Sequence, residues 1–332
     1  MTPSLHAGEP IRCAPSESAF VRWLRLDQFE PERAVTSYFC SSKTLLWLRI
    51  PLVLYTTSVL GVDIAWHMIH NDFQHYFAYF THYTFLGLHA YLVTVCVHHA
   101  RYLVTGRRLH SFLNQAPFLN HLFVILYSTM VTYNIVTPLV YWTLLAAETN
   151  NVDSYDWWIT ASMHGANFFI MMFEVITNRM VLYRQMVIPV FGLVLIYMLL
   201  TFVIYANEHW WVYSFLDWSQ GPKASIWYIA VSVIVILCYF CQMAIHATRD
   251  WIARKCTSRD SAPNLGTIQE DDGASTIAGS EQLYHDEKLQ TGDMANQDNR
   301  YYSQTLVESS LDSHITLGAS STEFLAVPTK YE

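Results

Sequence analysis

Residues 186–206 read MVIPVFGLVLIYMLLTFVIYA, a run without a single charged side chain. About 20 apolar residues of helix are needed to cross the hydrocarbon core of a bilayer. Because backbone N–H and C=O groups find no water there, a helix is the conformation in which a single segment satisfies them all. This stretch therefore predicts a membrane-spanning helix and, with it, a membrane protein.

Five further apolar stretches lie on either side of this run. Pro138 lies inside the third one and predicts a tilt or kink there, because proline removes one helical hydrogen bond. An even number of spans places both termini on the same side of the membrane. The fold class expected is an all-α polytopic membrane protein with six transmembrane helices. These helices are predicted near residues 45–68, 76–100, 118–147, 156–180, 186–206 and 225–248.

The composition of the whole chain supports the membrane assignment. Of its 332 residues 52% are hydrophobic and 14% are charged, whereas soluble domains have about 25% charged residues. The chain also contains 11 Trp, 21 Tyr and 18 Phe, and Trp and Tyr concentrate at membrane interfaces. These numbers exclude a soluble globule, a disulfide-stapled secreted domain and a generic nucleic-acid binder.

The negative charge is confined to one end of the chain. Residues 1–256 carry 15 Lys/Arg and 14 Asp/Glu, whereas residues 257–332 carry 4 and 13. The organisation expected is an N-terminal segment over 1–44 that is polar and irregular, a six-helix domain over 45–250, and an acidic tail over 251–332. The tail is expected to be disordered, because its composition cannot bury enough apolar surface to offset chain entropy.

The distribution of Lys and Arg predicts the orientation in the membrane. Basic residues occur in the N-terminal segment, in the second and fourth loops and after the last span. The first and third loops have none, and the fifth has only Lys223. Since Lys and Arg concentrate on the cytoplasmic side, both termini are predicted to be cytoplasmic. The same topology suits the endoplasmic reticulum and the plasma membrane.

Polar side chains within the fourth span form a stripe. At 100° per residue, His164, Asn167, Glu174 and Asn178 fall within about 80° of arc. A polar stripe inside a membrane faces the interior of the helix bundle or a water-filled cavity. The stripe is therefore either a hydrogen-bonded seam that packs helices, a functional site, or the lining of a transport pathway.

A hydroxyl and an imidazole are predicted at similar depths. Thr81 lies about five residues into the second predicted span and His164 about seven into the fourth, which places both about 8–11 Å deep. Such a pair can act as nucleophile and general base on an ester carbonyl. The alternative for Thr81 is the common one, a hydroxyl bonded to a backbone carbonyl one helical turn earlier.

Other histidines allow two metal-based alternatives. His82 and His89 share one face of the second span, and with His164 they permit bis-histidine haem ligation. The second haem pair of such six-helix proteins requires a histidine in the fifth span, which has none. His98 and His99 suggest a diiron histidine box, but the remaining histidines divide between the two membrane faces. No metal and no cofactor is therefore expected.

Three segments resemble a known family. They are YFAYFTHYTF over 76–85, SMHGANFFIMMFE over 162–174, and WWVYSFLDW over 210–218 with Gly221 and Pro222 soon after. In order and spacing they resemble the androgen-induced gene one family of multipass membrane hydrolases. That group includes the androgen-dependent TFPI-regulating protein, with the rolling-stone proteins as more distant relatives. The resemblance covers roughly residues 45–250.

The resemblance implies an activity and its residues. Thr81 matches the family's nucleophilic threonine and His164 its catalytic histidine, with Glu174 ten residues later as in the family. The family hydrolyses fatty acid esters of hydroxy fatty acids. The chain departs from the family pattern at Ser214, where relatives have Pro, and at Ala161, where some relatives have a second His. These departures bear on substrate and regulation more than on fold.

The function expected is therefore an integral membrane lipid-ester hydrolase whose partners are a lipid ester and the bilayer. Asn167 and Asn134 are candidates for orienting or oxyanion donors, and Glu174 for support deeper in the membrane. The alternative is a non-enzymatic membrane scaffold or a fusion-related protein, since the rolling-stone branch is associated with myoblast fusion and fold alone does not determine function. The oligomeric state stays open.

Overall fold

The computed structural model describes residues 16–105, 115–146 and 154–260, and within these ranges the regular structure is entirely helical. Six of the helices are long and apolar enough to cross a membrane. The prediction of an all-α protein with six spanning helices is thereby confirmed. In chain order, spans 1 to 6 are Ser42–Ile69, Phe80–Thr105, Pro117–Leu145, Tyr155–Thr177, Arg184–Glu208 and Pro222–Cys256.

The start of span 2 differs from the prediction. The helix begins at Phe80 rather than at residue 76, because the aromatic-rich residues before it form a separate 3₁₀ helix over Phe73–Ala78. Apolar side chains are thus present in the connection between spans 1 and 2 as well as in span 2 itself. Thr81 is consequently the second residue of its helix, and its predicted depth of five residues is wrong.

The helix of span 6 is longer than predicted. It runs over Pro222–Asp260, so residues 251–260 are helical although they belong to the predicted tail. Gly221 precedes it with φ of 65°, a conformation that glycine adopts without steric cost. Pro222 then begins the helix, where its missing N–H is not needed. The remainder of the predicted tail, 261–332, lies outside the described residues.

The N-terminal segment is more ordered than its polar composition predicted. Between residues 19 and 35 it forms three short helical turns, and apolar side chains that follow the first turn are buried against the bundle. Leu24, Leu26 and Phe29 belong to the same buried cluster as the spans. This segment is too short and too polar to cross a membrane, but it covers one end of the bundle. The three turns are Ala19–Trp23, Leu26–Gln28 and Glu32–Val35.

Span 3 is the central helix of the bundle. Its most apolar stretch is 67% buried, against 11% for span 5. Spans 2, 4, 5 and 6 all pack on it, while span 1 packs on span 2. We call the end of the bundle that holds connections 70–79 and 209–221 the loop end, and the opposite end, which holds residues 16–41, the termini end.

Two spans contain a π-helical turn. In span 3 the turn Tyr141–Leu145 follows Pro138 by three residues, so the disturbance predicted at this proline takes the form of a change in helical pitch. In span 4 the turn Ser162–Ala166 contains His164. A π turn inserts an extra residue and redirects the side chains around it, and such turns are frequent at functional sites.

Candidate functional site

An apolar cavity lies at the loop end of the bundle, and it is lined by Thr81 and His164. The structure thus brings together the two residues that the sequence proposed as nucleophile and base. The cavity has a volume of about 90 Å³, which is enough for several water molecules. Aliphatic and aromatic side chains of spans 3, 5 and 6 form most of its wall.

Thr81 is held beside the connection between spans 5 and 6. The backbone N–H of Phe80, which precedes it, donates to the Tyr213 hydroxyl at 3.0 Å. Burial raises the pKa of Tyr213, while interactions with Tyr197, the Phe80 backbone and the Thr81 side chain act in the opposite direction. Tyr213 is therefore a neutral hydroxyl at physiological pH, placed next to Thr81 at the cavity wall.

His164 is buried, with 9% of its surface exposed. Its ring stacks on Tyr141, with 3.8 Å between ring centroids and 8° between planes. The two π turns therefore meet at this contact, since Tyr141 begins one and His164 lies in the other. The Nδ1 atom of His164 is buried without a hydrogen-bond partner. The ring is thus fixed in orientation by stacking while one nitrogen has no protein partner.

Thr81 and His164 share the cavity without a direct hydrogen bond between them. Both residues line its wall, and neither side chain donates to the other. Catalytic hydrogen bonds are often long in the absence of substrate and shorten when it binds. The arrangement supplies a hydroxyl, an imidazole and a phenol around one apolar space, which are the components of an acyl-transfer site.

The two asparagines predicted as donors are directed elsewhere. The Asn134 amide donates to the Met130 carbonyl at 2.6 Å, and the Asn167 amide donates to the Met163 carbonyl at 3.0 Å. Both amides therefore bond to the preceding turn of their own helices, and neither residue lines the cavity. Tyr213, which interacts with the Thr81 side chain and lines the cavity, replaces them as the candidate donor.

Glu174 takes part in a buried ion pair and does not line the cavity. Its two carboxylate oxygens accept from Nε and Nη2 of Arg49 at 2.8 and 2.7 Å, and the Tyr91 hydroxyl donates to it at 3.1 Å. Arg49 and Glu174 are both 0% exposed. Glu174 thus joins spans 1, 2 and 4 on the termini side of the cavity.

The ion pair belongs to a larger set of contacts. Nη1 of Arg49 lies 3.0 Å from Nδ1 of His99. On the other side Tyr91 accepts from the Asn178 amide at 3.4 Å, and the Asn178 carbonyl accepts from Arg249 at 3.2 Å. We call the following residues the arginine network: Arg49, Tyr91, His99, Glu174, Asn178 and Arg249.

The predicted polar stripe of span 4 is therefore divided between two environments. All four of its residues are buried. His164 lines the cavity, whereas Glu174 and Asn178 belong to the arginine network, and Asn178 lies just past the last helical residue. One helix face thus contributes both a site and a packing seam, which periodicity alone presented as alternatives.

Sequence reasoning missed three residues that shape these two regions. Arg49 could have been found, because an isolated charge within an apolar span demands a partner. Tyr213 lay inside a segment that was noted for resemblance, but nothing local assigned it a role. Tyr141 carried no signal, because its contact with His164 depends on two π turns.

The histidines of the haem and diiron alternatives have separate partners. His89 pairs with Thr56 through Nδ1 at 2.9 Å. His99 lies between Ser42 and Arg49 in the arginine network. Neither His89 nor His99 shares a contact with His164, so the structure does not assemble these three residues around a common centre.

The fold and site define a class: a helical multi-pass membrane protein with a buried polar site in an apolar cavity. Comparison of the chain with family models, with curated proteins and with solved structures finds no match in any of the three.

Proposed function

We propose that this protein is an integral membrane hydrolase of lipid esters, with Thr81 as nucleophile and His164 as general base. One observation carries the proposal: the three segments that resemble the androgen-induced gene one family converge on one cavity. Thr81, His164 and Tyr213, one from each segment, all line it. The segments are far apart in sequence, so their convergence is a property of the fold.

The chemistry requires a proton acceptor beside the hydroxyl. His164 takes the proton of Thr81 as the oxygen attacks the ester carbonyl, and the acyl group is transferred to Thr81. His164 then gives the proton to the departing alcohol, and a water activated by the same imidazole hydrolyses the acyl-enzyme. The Tyr213 hydroxyl donates to the oxyanion that forms in each half of the reaction.

The lining of the cavity favours a lipid substrate. Because the walls are aliphatic and aromatic, an acyl chain loses contact with water when it enters. We propose fatty acid esters of hydroxy fatty acids as the substrate class, on the resemblance of the three segments. The bilayer is then the source of substrate, and no cofactor takes part in this reaction.

The proposed setting follows from the basic residues. Both termini face the cytoplasm, and the loop end with its cavity faces the lumen or the exterior. The membrane is the endoplasmic reticulum or the plasma membrane.

The test is labelling of the purified full-length protein with a fluorophosphonate probe. In this reaction the Thr81 oxygen bonds to phosphorus and displaces fluoride. We expect labelling of the wild type and its loss in Thr81→Ala and His164→Ala. Thr137→Ala is the matched control, because Thr137 is a second threonine in the same cavity wall and should leave labelling intact. Equal labelling of all four proteins would contradict the assignment.

The second candidate is a non-enzymatic membrane scaffold or fusion-related protein. The arginine network favours it, because a fully buried ion pair between spans 1 and 4, bonded to Tyr91 of span 2, is a packing device in its own right. Under this alternative His164→Ala changes stability while no ester hydrolysis exists to be lost. Hydrolysis of a hydroxy fatty acid ester by the wild type in nanodiscs separates the two functions.

A further inference from the structure

We propose that Asp63, His67 and His82 form a binding site for a divalent transition metal ion, with zinc as the ion that fits best. The site lies at the loop end, where span 1 ends and span 2 begins. It is separate from the proposed reaction, which uses no metal. The sequence predicted no metal, because neither the haem nor the diiron arrangement of histidines was complete.

The three side chains present their ligand atoms to one point. One oxygen or nitrogen from each residue lies within 4.8 Å of the other two. The Nε2 atom of His67 and the Nε2 atom of His82 each lie 3.7 Å from a different oxygen of Asp63. Ligands of a tetrahedral zinc ion at 2.0 Å are about 3.3 Å apart, so movements of about 1 Å or less close the site.

The opposite nitrogen of each ring lies next to an oxygen atom. The Nδ1 atom of His82 bonds to the Tyr76 carbonyl, and the Nδ1 atom of His67 lies 3.4 Å from a carboxylate oxygen of Asp72. In His82 the carbonyl acceptor places the proton on Nδ1 and leaves the lone pair of Nε2 on the side of Asp63. Zinc-ligating histidines have this arrangement almost always, with the second ring nitrogen bonded to a carbonyl or a carboxylate.

Asp63 is the strongest reason to expect a cation. It is 1% exposed, and a buried carboxylate without a countercharge is costly. The Tyr155 hydroxyl donates to its Oδ1 atom at 3.1 Å, while its Oδ2 atom is buried without a hydrogen-bond partner. No Lys or Arg of the described ranges forms an ion pair with it. A divalent ion supplies both the missing partner and the missing charge.

The donor set selects the class of metal. Two imidazoles and one carboxylate suit zinc and the neighbouring first-row ions, whereas calcium and magnesium prefer oxygen ligands throughout. Three protein ligands leave a fourth position for water. The surface hollow that contains the site is also lined by Trp66, Tyr155 and Thr160, so this position is accessible to solvent.

The test measures metal content and needs no enzymatic activity. The full-length protein in detergent is stripped with chelator, loaded with zinc, passed through a desalting column and analysed by elemental mass spectrometry. We expect one zinc ion per chain in the wild type and its loss in Asp63→Asn and His82→Gln. His67→Gln is the variant that guards against misfolding, because His67 is partly exposed at the end of its helix. Its zinc content should fall as well.

Two further variants separate ligands from neighbours. His70→Gln is the matched control, because His70 lines the same hollow and bonds to the Trp66 carbonyl instead; it should retain the full zinc content. Asp72→Ala removes the carboxylate beside Nδ1 of His67 and should weaken zinc binding by about 10–100-fold. Equal zinc content in the wild type and His67→Gln would overturn the proposal. So would a loaded wild type that retains no zinc, since Asp63 then pairs with a protonated histidine.

Discussion

The arginine network and the loop end differ in whether their buried polar groups have protein partners. In the network, Arg49, Glu174 and Asn178 are fully buried and bonded to protein partners. At the loop end, a carboxylate oxygen of Asp63 and the Nδ1 atom of His164 are just as inaccessible but have no partner. Buried polar groups are normally satisfied, so exceptions call for an explanation such as a ligand or a reaction.

This contrast separates the part of the bundle that stabilises the fold from the part that binds or reacts. A completed network orders the helices that contribute to it, because every partner is needed for the others to be satisfied. A buried polar group without a protein partner can instead bond to a ligand or a substrate. The four predictions below test this division, beginning with the largest expected effect.

The largest effect is expected on catalysis at the loop end. His164→Ala should lower ester hydrolysis by about 10²–10⁴-fold, the usual contribution of a general base. Its melting temperature should fall less than that of a network variant, because the ring loses its stacking on Tyr141 but Nδ1 has no hydrogen bond to lose. Turnover of a hydroxy fatty acid ester in nanodiscs and thermal unfolding of the same preparation measure both quantities. A fall in stability as large as that of a network variant would contradict the proposed separation of function at the loop end from stability in the arginine network.

The next effect is expected on stability in the network. Arg49→Met leaves Glu174 buried without its countercharge and should cost about 3–5 kcal/mol of unfolding free energy. Unfolding in detergent, followed by tryptophan fluorescence, measures it. Arg101→Met is the control, because Arg101 is an exposed arginine in span 2. Adding Glu174→Gln to Arg49→Met should recover part of the loss, and no recovery would argue against the ion pair as its cause.

Removing one tyrosine hydroxyl from each region compares the two regions through the same chemical group. Tyr91→Phe removes a hydrogen bond to the Glu174 carboxylate and should cost about 1.5–3 kcal/mol of stability. Tyr213→Phe removes the acceptor of the Phe80 N–H, a neutral bond worth about 0.5–1.5 kcal/mol. Only the second variant should also lower hydrolysis, by about 10²–10³-fold if it donates to the oxyanion. The reverse assignment of the two effects would contradict both roles.

The smallest effect is expected at the surface of the loop end. A hydrogen bond to Asp72, together with the nearby Glu208, raises the pKa of His75. The stabilisation is present below the unfolded pKa of about 6.5 and is lost as pH rises through the higher folded pKa. His75→Gln should therefore lower stability by at most about 1 kcal/mol, and only at acidic pH. A difference from wild type that persists at alkaline pH would contradict a titrating pair.

The six spans were predictable because hydrophobicity is a local property of the chain. The apolar composition of a run such as 186–206 predicts a membrane-spanning helix, whatever other helices it packs against. The start of span 2 was not predictable in the same way. Residues 76–79 are as apolar as a span, yet they lie outside it. Residues up to Ala78 form a 3₁₀ helix instead, because the connection folds over the bundle and buries Tyr76 and Ala78.

The candidate site was predictable only in part. Thr81 and His164 were named from polarity and resemblance, and they do line one cavity. The partners of Glu174 were beyond reach, because its contact with Arg49 joins residues 125 positions apart. The roles suggested for Asn134 and Asn167 also depended on neighbours that no local pattern describes, and the structure directs both amides to their own helices.

Hydropathy and charge along the chain suffice to predict six membrane-spanning helices and to mark the few buried polar residues as needing explanation. Both properties are summed along the chain, so they can be read without knowing any contact. Which polar residues bond to one another, and which have no partner, became visible only in the folded bundle. Those outcomes depend on helix register, on two π turns and on contacts between distant spans, where a shift of one residue changes the face that a side chain occupies.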